Sequence, residues 1–422
     1  MKNKKTIAFV ATIFIAALLV SAFAVAQILH TVDIDSYTAQ AQKDFQNAKT
    51  LVEQIRNVTL PNNVHLYVIT KQDAVDRWGT TSANANLALI QRQENIYKTL
   101  FIINETDSLY QATVDWTANW GAATLGNDIY VIKENFDPFN LPDAEATFVH
   151  ELTHVWQPNL PYATTFDADK ARTALIEGDA SYMGDYFIEN YGNDAVATED
   201  SMMMVNNIPV FLLNNPALNA IHPMPDSIWQ LNFFPYDKGK IFVNALHDSG
   251  GWQTVNDAYQ NMPATTAQIL HPDMYFENQT AQPVNSPTLA EDNWSQITNS
   301  YNQKSDRLGE YFIQVMLDRW LNQTKAEQSA AGWLGDNFTY YQRDSDYLFT
   351  WNIQWSSNCD ASDFYVTFHD MANAAGATDY GSCNWSMNGR YLSIMWDQSQ
   401  NTTLIAGSNV QAATQEGYFS WK

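Results

Sequence analysis

The stretch Val149-His150-Glu151-Leu152-Thr153-His154-Val155-Trp156-Gln157 decides how the rest of this chain is read. Its core is a HExxH pattern. Upstream, Pro142-Asp143-Ala144-Glu145-Ala146 supplies a proline stop, early carboxylates and good helix formers, so the spacing predicts an amphipathic helix over residues 143 to 157. Side chains four apart on a helix share a face, which lets His150 and His154 reach one metal ion. Glu151 stands one step round, where a carboxylate can contact a water on the metal without displacing it. Chance supplies these three residues at these positions in roughly one chain in a hundred, so the surroundings must carry the argument.

Catalytic zinc needs a third protein ligand and an open fourth position. Glu177 is the candidate, in Ala174-Leu175-Ile176-Glu177-Gly178-Asp179-Ala180-Ser181, read as a second helix over residues 171 to 189. Its neighbours three and four residues away are Ala174, Ala180 and Ser181, all small, so this helix can come close to the first. The plain alternative is a surface Glu on an amphipathic helix. Asp179, about 200° round from Glu177, faces the helix interface or solvent.

This order of motifs resembles the gluzincin, or peptidase-MA-like, metallopeptidases. More closely, His150-Glu151-Leu152-Thr153-His154 followed by Glu177-Gly178-Asp179-Ala180 is similar to a group of exported archaeal and bacterial surface proteins. The likeness continues through Pro235-Tyr236-Asp237-Lys238-Gly239, Gly250-Gly251-Trp252 and Gln268-Ile269-Leu270-His271-Pro272, covering residues 60 to 275, and Ala331-Gly332-Trp333-Leu334-Gly335-Asp336 extends it. That group commonly carries a Glu just before Gln268, where this chain has Ala267. The resemblance implies a zincin-like, mainly helical core with Zn2+ on His150, His154 and Glu177, and it names no substrate. Tyr236 and His271, which sit in the downstream segments, are the candidates for donating a hydrogen bond to an oxyanion.

A chain of 422 residues can hold two or three domains. Its net charge of -24 accompanies only 16% charged residues, so Lys and Arg are scarce. No basic face is apparent, which excludes nucleic acid as a partner. Lys2, Lys4 and Lys5 precede an apolar run from Ile7 to Leu29, long enough to cross a bilayer, although Ala24-Val25-Ala26 would serve as a cleavage site. Positive charge inside places the body outside the cell, anchored or secreted. The only cysteines, Cys359 and Cys383, then read as a disulfide, and sequons at Asn57, Asn104, Asn278, Asn293, Asn322, Asn337, Asn384 and Asn401 suit a glycoprotein.

The expected class is α+β, in four regions. Residues 1–30 form a signal anchor or signal peptide. Residues 31–135 form an N-terminal α+β region: a helix at 35–58, a strand at 64–70, a helix at 87–100, and a small mixed sheet with a strand at Asp128-Ile129-Tyr130-Val131-Ile132, which the resemblance implies edges the cleft. Residues 136–280 form the helical zinc-binding region. After a break at Gln282-Pro283-Val284-Asn285-Ser286-Pro287, residues 300–422 form a smaller α+β domain, with an amphipathic helix through Leu308, Phe312 and Val315 and a strand, helix, strand, strand unit from Tyr347. The function this implies is an exported zinc metallopeptidase acting on a protein or peptide, with Glu151 as general base. The alternative is a cell-surface structural or adhesion protein with a non-catalytic zinc site. The other histidines read as structural or solvated.

Overall fold

The computed structural model describes residues 34–192, 224–286 and 294–408, and the backbone of two strand pairs, 204–205 with 208–209 and 288–289 with 419–420. The apolar run before residue 30 lies outside the described residues. Among those described, no helix is long and apolar enough to cross a membrane.

The chain is mixed α+β. Helix α1 (Ile34–Arg56) buries Tyr37, Ala41, Phe45, Ala48 and Val52, one stripe at helical spacing. Next come β1 (His65–Ile69), α2 (Leu87–Thr99), α3 (Leu109–Ala118), and then β2 (Ala122–Leu125) and β3 (Asp128–Ile132). The three strands form a small mixed sheet in the order β1-β3-β2, with β1 and β3 parallel and β2 antiparallel to β3. This corrects one expectation. Asp128–Ile132 is the middle strand, its main chain paired on both sides, and the edge is Ala122–Leu125.

Helix α4 (Asp143–Trp156) carries the HExxH pattern, with Asp143 and Glu145 in its first turn, where carboxylates complement the helix dipole. It lies on α1 through an edge-to-face contact of Phe148 with Phe45 at 5.8 Å, and the same ring meets Phe136, just after β3, at 5.1 Å. Helix α5 (Phe166–Tyr191) starts five residues before its expected beginning, because Thr165 caps it by accepting from the Ala168 N–H. Helix α6 (Asp226–Ala258) contains Pro235 and breaks at Gly250 and Gly251, the latter at a φ of 69° that favours glycine. At the crossing of α5 and α6 the backbones touch: a Cβ added at Gly178 would lie 2.3 Å from the Gly239 carbonyl, and one at Gly239 would lie 2.2 Å from Ala174 O.

Beyond α7 (Thr266–Leu270), the C-terminal part forms a seven-stranded sheet. Its elements are β4 (Ser295–Gln296), α8 (Gly309–Asp318), β5 (Trp333–Arg343), β6 (Asp346–Trp355), α9 (Asn358–Ala374), β7 (Thr378–Gly381), β8 (Asn384–Met387), β9 (Arg390–Trp396) and β10 (Asn401–Gly407), in the order β7-β8-β9-β10-β6-β5-β4. Strand β5 went unread from the sequence. Asp336 on it takes four N–H groups, from Leu308, Gly309, Trp333 and Trp351, tying the start of α8 to the sheet. One apolar core runs from α2, α5 and α6 through α8 into this sheet, so the helical and C-terminal regions bury their faces against each other. The expected bond between Cys359 and Cys383 is not formed. Cys359 is exposed in the first turn of α9, and Cys383 Sγ instead meets the Tyr365 hydroxyl at 2.5 Å.

Candidate metal centre

Three side chains converge where α4 meets α5. His150 and His154 face α5 with their Nε2 atoms 3.2 Å apart, and Glu177 Oε2 lies 3.6 Å and 3.3 Å from them. All three ligand atoms lie within 4.8 Å of one another. His150 and Glu177 are wholly buried, and the His154 side chain is 11% exposed. The small neighbours of Glu177 and the glycine crossing with α6 explain how a carboxylate reaches this depth.

The charges in the group are strongly biased. Burial holds the His150 imidazole down to about 4, so it is neutral, with a lone pair to offer. Burial also works against a charged His154, but the Glu177 carboxylate outweighs it and pushes His154 up to about 9. Glu177 itself is held below its usual range, burial being overcome by His154 and His150. The Glu177 carboxylate thus favours a charged His154, and a metal ion bound by these groups would displace that proton. Two imidazoles and a buried carboxylate facing ring nitrogens make a donor set that fits a divalent metal such as zinc.

A directed chain of hydrogen bonds orients His154. Gln157 ends α4 and donates through Nε2 to Ile176 O at 2.9 Å and the Tyr259 hydroxyl at 2.8 Å. Its Oε1 is therefore the acceptor for the His154 Nδ1–H, 2.8 Å away, so that when the second proton leaves, Nε2 turns its lone pair towards the group. Tyr259 donates onward to Asp179 Oδ2 at 2.7 Å, and Arg56 of α1 binds Asp179 Oδ1 at 2.5 Å with neither side chain exposed. The Arg56 guanidinium lies between the Trp156 and Trp252 rings, 4.3 Å from each centroid. Asp179 thus serves the helix interface, as its angular position on the helix allows.

Glu151 is completely buried beside the group, and burial pushes its carboxyl up to about 8. Thr124 of edge strand β2 donates to Glu151 Oε2 at 2.6 Å, while Oε1 has no hydrogen-bond partner. Tyr236 of α6 stacks on the His150 ring at 6.3 Å and 14°. Burial and then the Glu177 and Glu151 carboxylates hold its hydroxyl pKa well above the ordinary value, so it keeps its proton.

The structure brings together His150, Glu151, His154, Glu177 and Tyr236. It does not bring in His271, whose Nε2 meets Glu310 Oε1 of α8 at 2.9 Å. That carboxylate holds the ring by Nε2 just past the end of α7, apart from the five residues above. Sequence reasoning missed Thr124, Gln157, Tyr259 and Arg56. Only Gln157 carried a local signal, three residues after His154 on the same face.

Residues 296–416 match a family described as a domain of unknown function, DUF8575. No curated protein matches the chain. A solved structure described as a "putative hydrolase with a novel fold", from Chloroflexus aurantiacus, aligns over 61% of this chain and 95% of its own, at 15% identity and a TM-score of 0.32. Nothing about activity transfers across a likeness of that size.

Proposed function

We propose that this chain is a zinc-dependent metallopeptidase of gluzincin type. The observation that carries this reading is the buried His150, His154 and Glu177 group with the Glu151 carboxylate beside it, one oxygen held by Thr124 and the other free. Three protein ligands leave one zinc position open, whereas a purely structural site is usually closed by a fourth. Zinc held there supplies Lewis acidity, polarising a carbonyl and acidifying water.

The chain's own groups have separate tasks. Burial alone favours the protonated Glu151 carboxyl, and the positive charge of a metal on the three ligands would return it to the carboxylate. That carboxylate accepts the proton of the water as the water oxygen bonds to the peptide carbonyl carbon. It then delivers that proton to the nitrogen as the C–N bond breaks. Thr124 holds Glu151 Oε2 so that Oε1 faces the reaction. Tyr236, protonated and stacked on His150, donates to the oxygen that gains charge. Gln157 keeps the His154 ring turned towards the group. Export to the cell surface is part of the same reading and rests on residues 1 to 30.

The test is Glu151→Gln, which keeps size and removes the base. It should leave zinc content and folding unchanged and reduce peptide hydrolysis by about 10²- to 10⁴-fold. If wild type and variant are equally inactive on a diverse peptide library while both hold zinc, the site is structural and the protein belongs with surface scaffolds.

A further inference from the structure

A cavity of about 380 Å³ lies between α2, α3, the first turns of α5 and α6, and the segment 297–308 with β5. Ser300 and Lys304, both exposed, mark its mouth, and the buried Tyr97, Leu231, Phe312 and Phe338 belong to its floor. It shares no lining residue with the group of His150, His154 and Glu177. An apolar cavity of about 150 Å³ holds a benzene ring, so this one has room for a body of about two fused rings.

Most polar groups of the wall are already used by the protein. The cations are turned to main-chain carbonyls, Lys170 to Leu231 O at 2.5 Å, Arg92 to Thr298 O at 2.7 Å and Lys304 to Gln296 O at 3.0 Å. Asp306 accepts from the Phe166 and Arg307 N–H groups at 2.7 and 2.8 Å. Asn299 accepts from the Tyr301 and Gln303 N–H groups at 3.0 and 2.8 Å and donates to Ser305 O at 3.3 Å. Asn86 and Gln93 donate through their amide nitrogens, to Ser82 O at 2.8 Å and the Tyr97 hydroxyl at 2.7 Å, which leaves their side-chain oxygens as acceptors. Asp169 of α5 is the exception among the charges. Its carboxylate is only 7% exposed, yet the donor it meets among the described residues is the Tyr301 hydroxyl at 3.4 Å, at the long limit of a hydrogen bond. Burial pushes its carboxyl up, although the Lys170 and Arg172 charges pull it down. A buried charge without a close donor is costly, and a donor brought by a ligand offsets that cost.

We propose that this cavity is a binding site for an apolar amine, with the ammonium held by the Asp169 carboxylate and a body of about two rings packed against Ile96, Ile228, Leu231 and Phe338. Acceptors are what the wall has left, and an ammonium on a carboxylate makes a hydrogen bond about twice as strong as a neutral pair. An alcohol with the same body leaves the buried charge unanswered, and an acid brings a second negative charge beside it. The site goes beyond the peptidase reading and does not rest on it.

Calorimetry on the full chain, with three probes that share an indole body, tests this: tryptamine, tryptophol and indole-3-acetate. Tryptamine should bind, and the neutral alcohol and the acid should each bind about tenfold or more weakly. Asp169→Asn should bring tryptamine down to the level of tryptophol, and Thr113→Trp, which fills the cavity from α3, should abolish tryptamine binding, with urea unfolding showing that each variant is folded. Should Asp169→Asn fail to fold, the wild-type ranking of the probes and the loss in Thr113→Trp decide. Tryptamine affinity should be the same with and without added zinc. No tryptamine binding, indole-3-acetate binding as tightly as tryptamine, or tryptamine affinity unmoved in either folded variant would overturn the site. Binding that requires zinc would place the amine on the metal group and overturn it equally, and none of these outcomes bears on hydrolysis by Glu151.

Discussion

Replacing Gly178 by Ala tests the link between helix packing and the metal group. The new Cβ would lie 2.3 Å from the Gly239 carbonyl carbon, where non-bonded carbons normally stand about 3.5 to 4.0 Å apart, so α5 and α6 must separate by about 1.2 to 1.7 Å. The obstacle is main chain in a packed helix, which cannot rotate aside. Overpacking of this kind costs about 3 kcal/mol, and the better helix propensity of Ala offsets about 1 kcal/mol, leaving a loss of about 2 kcal/mol. Glu177 precedes Gly178, and metal sites tolerate about 0.2 Å in ligand distance, so zinc should be lost as well. Urea unfolding and zinc content after dialysis are the assays, with Gly184→Ala as the control. A Cβ at Gly184 meets only Ala146 O at 3.4 Å, so that variant should be as stable as wild type or slightly more so. A Gly178→Ala protein with the wild-type urea midpoint and full zinc would refute the reasoning.

Arg56→Met leaves Asp179 buried without its cation and should cost about 3 to 5 kcal/mol in urea unfolding; a loss below 1 kcal/mol would show that Tyr259 alone satisfies that carboxylate. Thr124→Val removes the hydrogen bond to Glu151 Oε2 and should lower kcat about tenfold or more at unchanged zinc content, with Thr124→Ser restoring it; wild-type kcat in the valine variant would remove Thr124 from the mechanism. Asp44 of α1 has its carboxyl pushed up to about 6, chiefly by burial. A raised folded pKa means its stabilising contribution is complete below the unfolded value near 4 and is lost as pH rises through about 6, so Asp44→Asn should gain on wild type in urea midpoint between pH 4 and pH 7, and a constant difference would contradict the shift.

The metal group was legible because its information is local. The i, i+4 spacing of the histidines and the small residues around Glu177 each fit within one helix, and periodicity reports that much. Thr165 carried a usable capping signal for the earlier start of α5. The supporting chain was not legible: Arg56 reaches Asp179 across 123 positions and Tyr259 reaches Gln157 across 102, and no spacing rule spans such distances. Alternation identified Asp128–Ile132 as a strand but could not give its place in the sheet, which depends on the weaker strand Ala122–Leu125 beside it. His271 shows the reverse case, where a recognisable segment revealed nothing of where its ring points. Glu310, its partner, is 39 residues away on another helix.

The three side chains of the candidate metal group come from residues 150 to 177, whereas one side of the cavity between α2, α5 and α6 is built by residues 297 to 340. Parts encoded so far apart can change at different rates. Substitutions at Ile297 or Phe338 would reshape the cavity from outside the helices that carry His150, His154 and Glu177. For engineering, the same separation makes the loop 297–308 the place to vary and the α4 and α5 crossing the place to leave alone.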